Sequence, residues 1–227
     1  MNLTELANLY KSDKGTITGN PPHKYTYLYD LIFYPFRNCP LNLLEMGLAV
    51  GGPEVGGPIE RRVNSPSIQM WTEYFPLATV YGFDISDFSH IQHSNFRFLQ
   101  GDSGSAADIE RLAGCASHFD IIIDDGSHAS YHQQAALRQL WTKLASGGLY
   151  VIEDLQWQSP AFESILPKVP KTAIIMNSFF EEHTYVPSDV LDEAFLMSVR
   201  QALHSYAAFP AFKGLQSSTK LIVMRKA

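Results

Sequence analysis

Phe119-Asp120-Ile121-Ile122-Ile123-Asp124-Asp125-Gly126-Ser127-His128 has an unbroken apolar core of three isoleucines and ends in two carboxylates, a glycine, a serine and a histidine. Three consecutive isoleucines leave no polar face. A strand of that kind is buried on both sides, which means a parallel sheet covered by helices. Short strands and helices alternate around it. Leu41 to Met46, Thr79 to Asp84, Phe96 to Leu99 and Leu149 to Ile152 read as strands. Ser67 to Phe75, with Ser65 or Ser67 as cap, Asp108 to Leu112 and Tyr131 to Leu144 read as helices, the last closed by Gly147-Gly148. Asp189 to Ala202 predicts a further helix, and Ser205 to Phe209 with Leu221 to Met224 a closing antiparallel pair. The order predicts an α/β fold: a Rossmann-like, doubly wound, mostly parallel seven-stranded sheet with an antiparallel C-terminal strand.

Ahead of the sheet, Asn2 to Arg37 reads as a helix, a polar loop from Ser12 to Pro22, and an aromatic-rich helix. The chain therefore divides into an N-terminal helical cap at 1–38 and a ligand-binding domain at 39–227.

Composition narrows the function. The 227 residues are 45% hydrophobic, enough for a core without disulfides or a structural metal. The net charge of −6 argues against a nucleic-acid partner, which requires a basic face. The N-terminus lacks the basic and apolar regions of a signal peptide, and no apolar run reaches the ~20 residues of a spanning helix. A cytoplasmic protein without a membrane partner is the expectation. Cys39 and Cys115 lack metal-like spacing and read as small core or near-surface thiols.

In open α/β sheets ligands sit beyond the carboxyl ends of the strands. Here those ends are Glu45-Met46-Gly47, Asp84, Gly101-Asp102, Asp124-Asp125 and Glu153-Asp154. So many carboxylates on one edge repel one another unless a ligand or cation uses them. The glycines after the first strand, with Gly51 and Gly52, admit a ligand close to the backbone. Their spacing is not that of dinucleotide enzymes, and Glu45 suits a cationic or hydroxyl-bearing ligand better than pyrophosphate. Asp84 can accept the ribose hydroxyls of an adenosine ligand, with Asp87 read as a helix cap. Asp102 either accepts from an adenine amino group or caps the next helix. Asp124, Asp125, Glu153 and Asp154 offer hard oxygen donors suited to Mg²⁺ or Mn²⁺. His128, three residues past Asp125, is a candidate general base. Glu153 and Asp154 can share one ion only if the strand has ended by Glu153. Gly56 to Asn64 is either a lid or a surface loop.

Leu44-Glu45-Met46-Gly47 with Gly51-Gly52, Gln69 to Pro76 and Tyr81-Gly82-Phe83-Asp84-Ile85 together resemble class I S-adenosylmethionine-dependent methyltransferases. Asp124-Asp125-Gly126-Ser127-His128 with Glu153-Asp154 resembles the metal-dependent sugar O-methyltransferases of macrolide and related antibiotic pathways, of the mycinamicin type. Ser12-Asp13-Lys14-Gly15 and His23-Lys24-Tyr25 also recur in that group. The resemblance runs from about Leu9 to Asp154. It implies that Asp125, Glu153 and Asp154 hold Mg²⁺ (or Mn²⁺), and that His128, with Asp125, is catalytic. It also implies that Glu45, Gly47, Gly51, Asp84, Asp102 and Asp124 surround S-adenosylmethionine. Those sugar enzymes carry a further N-terminal domain without counterpart in this sequence, and the stretch from Pro53 through Arg61-Arg62 departs from their pattern.

The implied activity is O-methylation of a small-molecule hydroxyl, on a sugar or another secondary metabolite, by a homo-oligomer. Two rivals stay open at this level: a metal-independent N- or O-methyltransferase of the same fold, and a non-catalytic partner subunit. Tyr25, Tyr27, Trp157, Phe179 and Phe180 suggest a flat or apolar acceptor surface. The apolar residues Leu191, Phe195, Leu196, Met197 and Val199 belong either to the core or to an interface.

Overall fold

Ile121 and Ile123 pack into one apolar cluster and Ile122 into another, as alternation along a strand buried on both faces requires. The computed structural model describes residues 1–213 and 216–227, and side chains other than those of residues 211–217. The strands are β1 (Asn42–Met46), β2 (Thr79–Asp84), β3 (Phe96–Gln100), β4 (Phe119–Asp124), β5 (Leu144–Ile152), β6 (Leu203–Lys213) and β7 (Gln216–Lys226). They form one seven-stranded sheet in the order β3-β2-β1-β4-β5-β7-β6. β1 to β5 pair in parallel, while β7 runs antiparallel to both β5 and β6. This is the doubly wound sheet with an antiparallel C-terminal strand that the sequence predicts.

Helices cover both faces. α1 (Leu3–Tyr10), α2 (Thr26–Phe33) and α3 (Pro66–Tyr74) bury Leu3, Leu6, Tyr29, Phe33 and Trp71 against Leu43, Val80 and Val151 of the sheet. The two N-terminal helices thus share a core with one face of the sheet. α1 is fixed by a reciprocal capping box between Asn2 and Glu5. On the other face, α4 (Ala106–Ala113), α5 (Ser130–Leu140), α7 (Thr172–Phe180) and α8 (Glu193–Gln201) bury Ile109, Leu137, Met176 and Leu196 against Leu44, Ile122 and Tyr150. Leu191, Leu196 and Val199 are therefore core, while Met197 stays exposed. The short α6 (Pro160–Ile165) lies over the carboxyl edge. Truncating a fully buried side chain such as Ile122 to alanine costs about 2–5 kcal/mol. Among the described residues, no helix is long and apolar enough to cross a membrane.

Two local expectations fail. Gly147-Gly148 do not cap α5: the helix ends at Leu140, and both glycines lie inside β5. Gly147 takes a φ of +78°, and a Cβ at Gly148 would sit 2.8 Å from the Asp120 carbonyl oxygen. The pairing of β4 with β5 shifts register at this point, so the pair accommodates a bulge. Asp87 caps no helix either; its carboxylate accepts from the Ser89 N–H in an irregular segment after β2. Asp102 binds the Gly104 N–H, and Ser105 caps α4 in its place.

Candidate active site

β1 and β4 are neighbours although β2 and β3 intervene in sequence, so the chain leaves them in opposite directions and opens a crevice at their carboxyl ends. Gly47 forms the floor of that crevice. Its φ is +83°, and a Cβ there would fall 2.0 Å from the Asp125 carbonyl oxygen. Only glycine lets the β1 loop and the β4 loop meet this closely.

On the β2 side a narrow cleft is lined by Gly47, Phe83, Asp84, Asp102, Ser127 and Phe162, among others. Asp84 is nearly buried, and its two oxygens accept from the N–H groups of Leu48 and Ser86, each at 2.7 Å. Burial raises its pKa, and those two backbone bonds oppose the rise. The Asp84 carboxylate thus ties the end of β2 to the glycine loop while facing the cleft. Gly51, with φ +102°, turns the loop back so that Glu54 accepts from the N–H groups of Gly51 and Gly52. Gly51 lines neither this cleft nor the larger cavity beside it.

On the β4–β5 side lies a cavity of about 670 Å³. Asp125, His128, Asp154 and Trp157 face it from the sheet edge, and Lys11, Asp13, Thr18 and His23 from the N-terminal segment. Glu54, Val55 and Asn64 make a further wall, so the segment after the glycine loop encloses this space. β5 ends at Ile152, and Asp154 has a φ of +51°, which breaks the strand's alternation just where two adjacent acids would otherwise diverge. His128 also sits in the left-handed region, at φ +55°, with its ring edge-on to Trp157 at 5.3 Å. Among the described residues its buried Nδ1 has no hydrogen-bond partner.

Charge is concentrated here. Lys14 is 1% exposed, and its Nζ lies 2.5 Å from Asp125, 2.8 Å from Glu153 and 3.6 Å from Glu45. Burial alone pushes an ammonium down, yet the three carboxylates outweigh it and hold Lys14 charged well above the ordinary lysine range. Glu153, fully buried, is pushed up to about 7 by its burial, against the pull of Lys14. Its second oxygen accepts from Tyr29 at 2.6 Å. Asp154 accepts from Tyr25 at 2.5 Å and pairs with His23 at 3.3 Å. Burial raises its pKa, but His23, His128 and Tyr25 outweigh that and hold it below the ordinary value. Burial lowers the pKa of His128, against the attraction of Asp154.

The structure brings Asp125, His128 and Asp154 together with one ligand atom each within 4.8 Å of one another. Carboxylate oxygens and an imidazole, with no thiolate, suit a hard divalent ion. Glu153 stands behind them, with both oxygens engaged by Lys14 and Tyr29. Glu45 is also withdrawn: it lines neither space, accepts from Ser67 at 2.7 Å and faces Lys14. Asp124 is buried, held at about 6 by that burial, and lines neither space. Of the aromatic residues expected at an acceptor surface, Trp157 lines the cavity. Phe179 packs in the core, Tyr27 is exposed, and Tyr25 serves Asp154. Sequence reasoning gave no role to Lys14, Tyr29 or Phe162. Lys14 lay within the Ser12-Asp13-Lys14-Gly15 element, but nothing local marks a lysine whose partners are more than 100 residues away.

No protein-family model matches the chain. By sequence it is 38% identical over 156 residues to the mycinamicin VI 2''-O-methyltransferase of Micromonospora griseorubida, covering 67% of this chain and 36% of that protein. It is 36% identical over 175 residues to the 8-demethyl-8-alpha-L-rhamnosyl tetracenomycin-C 2'-O-methyltransferase of Streptomyces olivaceus, covering 76% of this chain and 43% of that one. By structure it matches the methyltransferase MycE of the mycinamycin biosynthetic pathway, solved in complex with Mg, SAH and mycinamycin VI. That match has a TM-score of 0.64 at 26% identity, covering 100% of this chain and 54% of MycE. The sequence matches thus cover 36% and 43% of these curated relatives, and the chain spans about half the length of MycE.

Proposed function

We propose, for a chain that has the class I S-adenosylmethionine methyltransferase fold and is related to the sugar O-methyltransferases of antibiotic pathways, that it methylates a hydroxyl of a small molecule, a sugar or another secondary metabolite. The reaction uses S-adenosylmethionine and Mg²⁺, in the cytoplasm. The observation that carries this reading is the convergence of Asp125, His128 and Asp154 on a cavity that shares Gly47 with the Asp84 cleft.

In this reading the cleft takes the adenosine part of the cofactor. Asp84 accepts from the ribose, Asp102 stands at the adenine end, and Phe162 closes over the base. Gly47 leaves room for the sulfonium end to face the larger cavity. Asp125 and Asp154 would hold the metal, joined by Glu153 only if it exchanged its bond to Lys14. The bound ion would supply charge that lowers the pKa of an acceptor hydroxyl and fixes its position. His128 takes the hydroxyl proton; its lowered pKa keeps the imidazole neutral and able to accept. S-adenosylmethionine would supply the methyl group to the acceptor oxygen and leave as S-adenosylhomocysteine. Trp157 and Val55 present apolar surface to the rest of the acceptor, and the cavity's size admits a sugar ring. A bound ion would add to the positive charge that Lys14 already sets against the acidic strand ends.

Calorimetric titration with S-adenosylhomocysteine, with and without Mg²⁺, tests the cofactor assignment. Methyl transfer to glycosides bearing vicinal hydroxyls, with chelator as control, tests the rest. Binding followed by chelator-sensitive transfer is expected. Absence of binding under both conditions sinks the cofactor assignment, and transfer that survives chelator removes the metal.

A further inference from the structure

We propose that Lys14 is the resident cation of the acidic centre. It acts as a positioning residue that holds Asp125 and Glu153 together and, by its charge, weakens the grip of the site on the divalent ion. The proposal rests on the metal reading above. Lys14 is buried, and its ammonium faces acids from the ends of three different strands: Glu45 in β1, Asp125 just past β4 and Glu153 just past β5. An ammonium has three N–H donors, so one group can serve all three acids. The bonds to Asp125 and Glu153 are short, at 2.5 and 2.8 Å.

The lysine is also held from behind. Its own N–H donates to the Ser12 hydroxyl, and its carbonyl accepts from the Thr26 N–H. It cannot withdraw without moving the segment that carries Lys11, Asp13, Thr18 and His23, which walls the cavity. Two consequences follow. The Asp125 oxygen bound to Lys14 is already engaged by a cation, so the ammonium competes with an ion for that carboxylate. The fixed positive charge also repels any divalent ion placed at Asp125, in a setting where charges interact more strongly than in water. The site therefore keeps its acids in register without metal, and binds metal reversibly rather than as a permanent part of the fold.

The test uses the full chain and Mn²⁺ alone, with free ion followed by electron paramagnetic resonance and melting followed with and without Mn²⁺. Lys14→Met and Lys14→Gln are each expected to bind Mn²⁺ at least about tenfold more tightly than the unsubstituted chain, and to gain more melting temperature from it. Lys14→Arg, which keeps the charge, is expected within about threefold of the unsubstituted chain. Disruption of structure alone would loosen metal binding, so tighter binding separates a charge effect from damage. If Lys14→Met needs Mn²⁺ to fold, rescue by Mn²⁺ and not by K⁺ supports the proposal. Failure of both neutral variants to fold with Mn²⁺ overturns it. Equal or weaker Mn²⁺ binding by folded neutral variants overturns it and leaves the metal reading standing. Binding by the neutral variants but not by the unsubstituted chain supports it while removing metal from the proposed function. No binding by any of them overturns both.

Discussion

On the β1–β2–β3 half of the carboxyl edge, Asp84 is held by backbone N–H groups from Leu48 and Ser86, and Asp102 by the N–H of Gly104. On the β4–β5 half, Asp125, Glu153 and Asp154 are held by side chains: Lys14, Tyr29, Tyr25 and His23 from the N-terminal segment, with Gln156 beside Asp154. The first half is built from its own loops. The second is completed by residues more than 100 positions away. Backbone donors shape a surface and carry no net charge, which suits a ligand recognised by form and hydrogen bonds. Side-chain cations and phenols set charge as well as position, which suits ion binding and proton transfer.

If this division is right, substitutions in the two halves fail in different ways. The largest effects belong to the β4–β5 half. His128→Ala and Asp125→Asn are each expected to lower kcat by about 10²–10⁴-fold while leaving S-adenosylhomocysteine affinity within about threefold. Single-turnover methyl transfer and calorimetry on the same preparations check the pair. Full activity in either variant would end the assignment of that half to chemistry.

Next comes the β1–β2–β3 half. Asp84→Ala removes an acceptor facing the cleft and also frees the N–H of Leu48, so the glycine loop loses its tether. Affinity for S-adenosylhomocysteine should fall by about 10–100-fold, from roughly 1–3 kcal/mol of lost hydrogen bonding. Mn²⁺ binding should not change. A variant that loses metal and keeps cofactor would invert the comparison.

Smaller again is Tyr29→Phe. It leaves a buried Glu153 oxygen without its donor, at a cost of about 1–3 kcal/mol in stability. Denaturant unfolding measures this directly. A change in midpoint with an unchanged slope is expected, and no change would mean that water replaces the phenol.

The same contrast accounts for what the sequence disclosed. Ile121-Ile122-Ile123 decides the sheet because burial on both faces is a local property of a strand. The acids are visible for the same reason: each sits where its own strand ends. Their roles are less visible. Glu45 and Glu153 look from the sequence like ligands on an exposed edge, but both are fully buried and turned toward Lys14. That outcome depends on how the N-terminal segment folds back across the sheet, which no periodicity encodes. Gly147-Gly148 shows the reverse error. A glycine pair after a helical pattern has a local meaning as a cap, and the pairing of β5 with β4 overrides it.

The gentlest test of the division is pH. Burial holds the His128 imidazole below its ordinary pKa of 6.5, against the attraction of Asp154. A base with a lowered pKa is neutral, and so competent, at every pH above that value, and is lost as pH falls through it. Between pH 7 and 9, kcat should therefore rise by less than about a third, since an imidazole titrating at or below 6.5 is already mostly neutral at pH 7. The acid limb should have its midpoint below 6.5 and should be missing from whatever activity remains in His128→Ala. Asp84, which engages the cofactor as an acceptor and transfers no proton, should leave that acid limb in place when it is replaced by alanine. A kcat that climbs tenfold between pH 7 and 8 would mean that another group carries the proton. The β4–β5 half would then keep its role in binding the ion and lose its role as base.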